Sequence, residues 1–123
     1  DTGRLPVCGP AGDQILRAVA QAIKQLLRKE DIAARYGGEE FVVLARGIST
    51  IDAAILGERI RHSVESLNTV IPPSDLHIRV TISVGIAAMS RGQYTSHLDF
   101  LHQADQRLFR AKHLGRNRVV AED

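Results

Sequence analysis

The sequence predicts an α+β sandwich, a mostly antiparallel central sheet with flanking helices. Two observations carry this. Apolar residues recur at helical spacing in three stretches and at strand spacing between them, in the order α, β-hairpin, α, β, α, β. That order is not a strict βαβ alternation, so hairpin pairing is expected to dominate the sheet. At 123 residues, the chain is expected to form a single domain over 1–123.

Residues 1–12 read as an irregular lead, because Gly3, Pro6, Gly9, Pro10 and Gly12 interrupt any regular element. Asp13 then suits the N-cap of a helix running to about residue 29. Its stripe is Ile15, Leu16, Val19, Ile23, Leu26 and Leu27. Two apolar runs, Ile32–Tyr36 and Glu40–Arg46, flank Gly37-Gly38-Glu39, and paired glycines between such runs signal a tight hairpin. Ile55, Leu56, Ile60, Val64 and Leu67 define a second helix entered at Ser49 and Asp52. Residues 68–75, with Pro72-Pro73, read as a loop. From His77 to Met89, Ile78, Val80, Ile82, Val84 and Ile86 alternate with Arg79, Thr81, Ser83 and Gly85, which predicts a strand with one buried face. Ser96-x-x-Asp99 is a capping box. The helix it opens turns Leu98, Leu101, Ala104, Leu108 and Ala111 inward and stops near Gly115, and residues 117–121 form a last strand.

Composition narrows the function. The chain is 44% hydrophobic and 24% charged, as in ordinary globular proteins. A net charge of +2 gives too weak a global field to argue for nucleic-acid binding. The one dense basic cluster, Arg110 to Arg118, has little aromatic surface for stacking, with no Trp and five aromatics in the whole chain. Cys8 is the only cysteine, which excludes an internal disulfide, and no apolar run reaches the roughly 18 residues of a membrane span. A cytoplasmic location is expected, with any membrane anchor of the parent lying upstream.

The segment Arg35-Tyr36-Gly37-Gly38-Glu39-Glu40-Phe41 carries the most chemistry. A turn without side chains lets a large anion approach the backbone, and two adjacent carboxylates beside it can hold a divalent cation against that anion. The same residues would also serve as a solvated hairpin tip. Asp13 can act simply as a helix cap, and Lys112 and Arg116 as cations complementing a helix C-terminus. Arg28-Lys29-Glu30-Asp31 reads equally as a charged helix end. The five histidines form no i, i+4 pair and are assigned no metal role.

This segment resembles the signature of the GGDEF family in its GGEEF form, the diguanylate cyclase domains. Further matches follow in family order: Gly12-Asp13, Thr81 to Gly85, Ala104-Asp105, Ala111-Lys112 and Gly115-Arg116-Asn117. The resemblance implies a nucleotide-cyclase-like sandwich that acts as a homodimer, each domain bringing one GTP, to form cyclic di-GMP and pyrophosphate. It implies that Glu39 and Glu40 bind Mg²⁺ or Mn²⁺ as the catalytic carboxylates, that Gly38, Lys112 and Arg116 meet the triphosphate, and that Asp13 contacts guanine. It further implies product inhibition by cyclic di-GMP at an RxxD site made of Arg28 and Asp31, completed by Arg59 from a neighbouring domain. A silent receptor of GTP or cyclic di-GMP is the alternative. The family's domain begins earlier, with a helix and a central strand bearing another metal-binding Asp, so the chain is expected to be N-terminally truncated, with an upstream sensory domain in the parent. Losing a central strand is expected to leave two unpaired edges inside the sheet.

Overall fold

The computed structural model describes residues 9–71, 75–93 and 95–123. Most of the expected irregular lead, and the proline pair of the loop, lie outside the described residues. The elements are α1 (Gly9–Leu26), β1 (Ile32–Gly37), β2 (Glu40–Arg46), α2 (Thr50–Glu65), β3 (Thr69–Ile71), β4 (Leu76–Ile78), β5 (Ser83–Met89), α3 (His97–His113) and β6 (Val119–Val120).

A four-stranded sheet runs in the order β1-β2-β5-β6, and β3 pairs with β4 in a separate two-stranded ribbon. The strand directions correct the expectation of a mostly antiparallel centre. Only β1–β2 is antiparallel, whereas β2–β5 and β5–β6 are parallel. Each of the parallel neighbours is reached through a connection containing a helix, which returns the chain to the end of the sheet where it started. Nor does the sheet contain the expected gap. β2 and β5 pair directly through seven residue pairs, from Glu40–Ser83 to Arg46–Met89, so the inner backbone groups are satisfied.

Helices cover both faces. Ile15, Val19 and Ile23 of α1 and Ala53, Leu56, Ile60 and Val64 of α2 pack with Phe41, Val43, Val84 and Ile86 on one side. Phe100, Ala104 and Leu108 of α3 pack with Val42 and Ala87 on the other. β5 is therefore buried on both faces, not one: Ser83, Gly85 and Ala87 are as buried as Val84 and Ile86, and α3 packs over Gly85 and Ala87. Gly85 makes this possible, since α3 lies against its Cα.

The helix α1 begins at Gly9, four residues before the expected start, so Asp13 lies inside the helix and is not its N-cap. Pro10 is tolerated there because first-turn N–H groups have no intrahelical acceptor. Ile55 and Leu98, assigned inward from periodicity, are 54% and 79% exposed. The other two helices start as read. Ser49 Oγ accepts from the Asp52 N–H, and Ser96 Oγ from the Asp99 N–H, each at 3.1 Å. Ser96→Ala is expected to lower stability by about 1 kcal/mol in urea unfolding, with β-sheet content unchanged.

Candidate functional site

Gly38 and Glu39 form the two-residue connection between β1 and β2, and Gly37 pairs with Glu40 across it. The ladder shifts register between Arg35 and Gly37, a bulge at Tyr36. Gly37 does not take left-handed backbone, since its φ is not positive. It is needed for space, because a Cβ there would come within 3.1–3.3 Å of the Glu40 carboxyl group. Gly37→Ala is therefore expected to displace the Glu40 carboxylate while leaving the fold within about 1 kcal/mol of wild type. Changed NMR shifts of the Lys112 ammonium, with an unaltered urea midpoint, would register it.

The turn is tied to the middle of the sheet, since the Ser83 N–H donates to the Glu39 carbonyl at 2.8 Å. Glu39 is only 8% exposed. Burial pushes its carboxyl up to about 7, the neighbouring Glu40 adds to the rise, and Arg116 opposes it. Glu40 is half-buried. Lys112 Nζ lies 3.2 Å from its Oε1, and an Arg116 guanidinium nitrogen 3.9 Å from its Oε2. Lys112 stands in the last turn of α3, and Arg116 follows the helix in left-handed backbone. A two-glycine turn, two carboxylates and two cations from a different element are thus brought to one place. Sequence reasoning missed a further link: the Tyr36 hydroxyl donates to Asp105 Oδ1, tying β1 to α3 beside the turn. That bond, with burial, raises the phenol to about 12. Both residues were part of the matched segments, but spacing gave no sign that they meet.

Among the described residues no group of three His, Cys, Asp or Glu side chains could hold a metal ion. Two adjacent carboxylates do fit Mg²⁺, which is commonly held by one or two carboxylates while phosphates and water supply the other oxygens. The donor set therefore suits a cation arriving with a phosphate ligand better than a bare ion.

The remaining expected residues fall elsewhere. Asp13 is exposed in α1, on the face of the sheet opposite α3. Asp31 has a fully buried side chain and accepts from Arg28 three times, from the backbone N–H at 2.7 Å, Nε at 3.1 Å and Nη2 at 2.6 Å. Arg28 Nη2 also donates to the Arg46 carbonyl at 2.8 Å. Asp31 thus fixes Arg28 in place. Arg28 and Arg59 line one cavity of about 470 Å³, together with Leu26, Ser49, Asp52 and Ile55. Arg28 and Arg59 of one chain thus face the same cavity.

The family model for "Diguanylate cyclase, GGDEF domain" matches residues 9–118. The chain belongs to the GGDEF family. It is 40% identical over 93% of its length to the probable diguanylate cyclase DgcT of Escherichia coli, of which it covers 25%. It is 41% identical over 89% of its length to diguanylate cyclase A of Treponema denticola, of which it covers 29%. The chain thus spans between a quarter and a third of these relatives. The GGDEF domain of DgcB from Caulobacter crescentus, solved in complex with c-di-GMP, superimposes with a TM-score of 0.73 at 33% identity, over 92% of this chain and 66% of that one. This places the mixed sheet and its helices in the nucleotide-cyclase-like fold of GGDEF domains. No helix among the described residues is long and apolar enough to cross a membrane.

Proposed function

We propose that this GGDEF domain binds GTP with Mg²⁺ or Mn²⁺ and, paired with a second copy, condenses two GTP into cyclic di-GMP. The 3′-oxygen of each nucleotide bonds to the α-phosphorus of the other, two pyrophosphates leave, and two hydroxyl protons are released. The observation that carries this reading is the buried Glu39 at a side-chain-free turn, beside Glu40 and the cations Lys112 and Arg116. An acid desolvated this far gains from a cation brought to it, and a triphosphate gains from the two basic side chains.

Glu39 and Glu40 would hold the metal, which when bound neutralises phosphate charge and polarises the reacting oxygens. Lys112 and Arg116, both within 4 Å of the Glu40 carboxylate, would reach the triphosphate from the end of α3. Gly38 lets the phosphates approach the backbone. Asp13 would accept from the guanine N1–H and N2–H edge. Each domain brings one nucleotide, so dimerisation supplies the second reactant. Arg28 and Arg59 would bind cyclic di-GMP as an inhibitor, Arg28 meeting a guanine edge through Nη1 while Asp31 keeps it aligned. An input domain in the parent chain and a cytoplasmic setting belong to the same reading.

Incubation of the full chain with GTP and Mg²⁺, followed by chromatography, is expected to yield cyclic di-GMP and pyrophosphate. Cyclic di-GMP binding without any product would instead identify a silent receptor, a reading favoured by the cavity shared by Arg28 and Arg59. Silence toward both ligands would refute both.

A further inference from the structure

Arg116 reaches Glu40 from a backbone that L-residues seldom adopt. Gly115, Arg116 and Asn117 have φ of 127°, 61° and 46° in succession. Two consecutive non-glycine residues in this region persist only where the surroundings over-determine them. The Arg116 N–H donates to the Ala111 carbonyl at 3.0 Å, which closes the end of α3 but does not fix the next residue.

Asn117 is fixed from α2. Its Nδ2 donates to Glu65 Oε2 at 2.6 Å, and its Oδ1 accepts from an Arg61 Nη at 2.9 Å. Arg61 is itself held, donating to both Glu58 oxygens at 2.8 and 2.6 Å and lying 3.2 Å from Glu65 Oε1. The Asn117 hydrogen bond, followed by Arg61, keeps the Glu65 carboxyl below its ordinary range. Both ends of one amide are thus used by residues one helical turn apart. Asparagine suits the place chemically. It tolerates left-handed backbone and both donates and accepts, whereas aspartate could not donate to Glu65 and would repel it.

We propose that Asn117, clamped between Glu65 and Arg61, is a positioning residue that locks the left-handed turn and so aims Arg116 at the phosphate-binding side of the hairpin. The ligand half of this statement rests on the function proposed above; the clamp does not.

The test compares Asn117→Ala and Asn117→Gly in the full chain. Amide exchange at Arg116 is expected to accelerate about tenfold in both, with Leu108 in mid-α3 unchanged, because glycine restores the backbone freedom but not the clamp. Glu65→Gln, which keeps an acceptor for Asn117, is expected to exchange close to wild type. Affinity for inorganic triphosphate, followed by calorimetry, is expected to fall about fivefold in both Asn117 variants and to fall no further when either is added to Arg116→Ala. Unchanged exchange at Arg116 in both variants overturns the clamp. An Asn117 effect that persists undiminished in the Arg116→Ala background overturns its action through Arg116. Wild-type triphosphate affinity in Arg116→Ala alone would overturn the functional reading, and the exchange result would still decide the clamp.

Discussion

Gly85→Ala is expected to destabilise the domain by at least about 3 kcal/mol, at the upper end for a single methyl group. A Cβ at this position would lie 2.2 Å from the Ala104 carbonyl oxygen, 2.2 Å from the Leu108 nitrogen and 2.8 Å from the Leu108 Cα. All three are backbone atoms of α3, so no side-chain rotation relieves the clash. The strand cannot retreat either, because β5 is the inner strand that pairs with β2 on one side and β6 on the other. The helix must lift, which strips Phe100, Ala104 and Leu108 from Val42 and Ala87. Urea unfolding followed by circular dichroism measures the loss, and a midpoint within about 1 kcal/mol of wild type would contradict the packing. Because α3 carries Lys112 and leads to Arg116, whatever remains folded is also expected to lose triphosphate affinity.

Glu39→Gln is expected to reduce cyclic di-GMP formation on the order of 100-fold or more while stabilising the fold above neutral pH. The two effects share one cause. Burial raises the Glu39 carboxyl from 4.5 to about 7. Between those values the folded chain retains a proton that the unfolded chain has lost, so stability falls as pH climbs through the window, by at most about 3 kcal/mol. Glutamine has no such proton to lose. Denaturant midpoints measured from pH 4.5 to 8 should decline for wild type relative to Glu39→Gln. Parallel curves would show that Glu39 ionises normally and would remove the reason for expecting a cation beside it. An acid that destabilises the empty fold at neutral pH is what a carboxylate reserved for a metal–nucleotide complex should do.

How much of this was legible in the sequence depended on the range of the interaction. Ser49 and Ser96 cap their helices through bonds to residues three positions on, and the Gly37-Gly38 hairpin closes over two residues, so local pattern sufficed. The start of α1 was misplaced because Gly9 and Pro10 read as breakers, although a first turn demands little of either. The parallel pairing of β2 with β5 was not legible, since alternation marks a strand without giving its neighbour or direction. Small residues concealed the second buried face of β5: Ser83 and Gly85 look like a solvent side, yet both are buried and α3 lies against Gly85. At the site, Glu39 and Glu40 declared themselves by position beside the glycines, whereas Lys112 and Arg116 could be placed only by resemblance, more than 70 residues away. The links from Tyr36 to Asp105 and from Asn117 to Glu65 join residues 69 and 52 positions apart and left no periodic trace.

Paramagnetic broadening tests most directly whether the acidic pair and the bare turn hold a metal-borne triphosphate. Mn²⁺ added with GTP to the ¹⁵N-labelled chain is expected to erase the amide signals of Gly38, Glu39 and Glu40 first, along with those of Lys112 and Arg116, and to spare them in Glu39→Gln. Even broadening across the chain, or broadening centred away from the hairpin, would contradict the account.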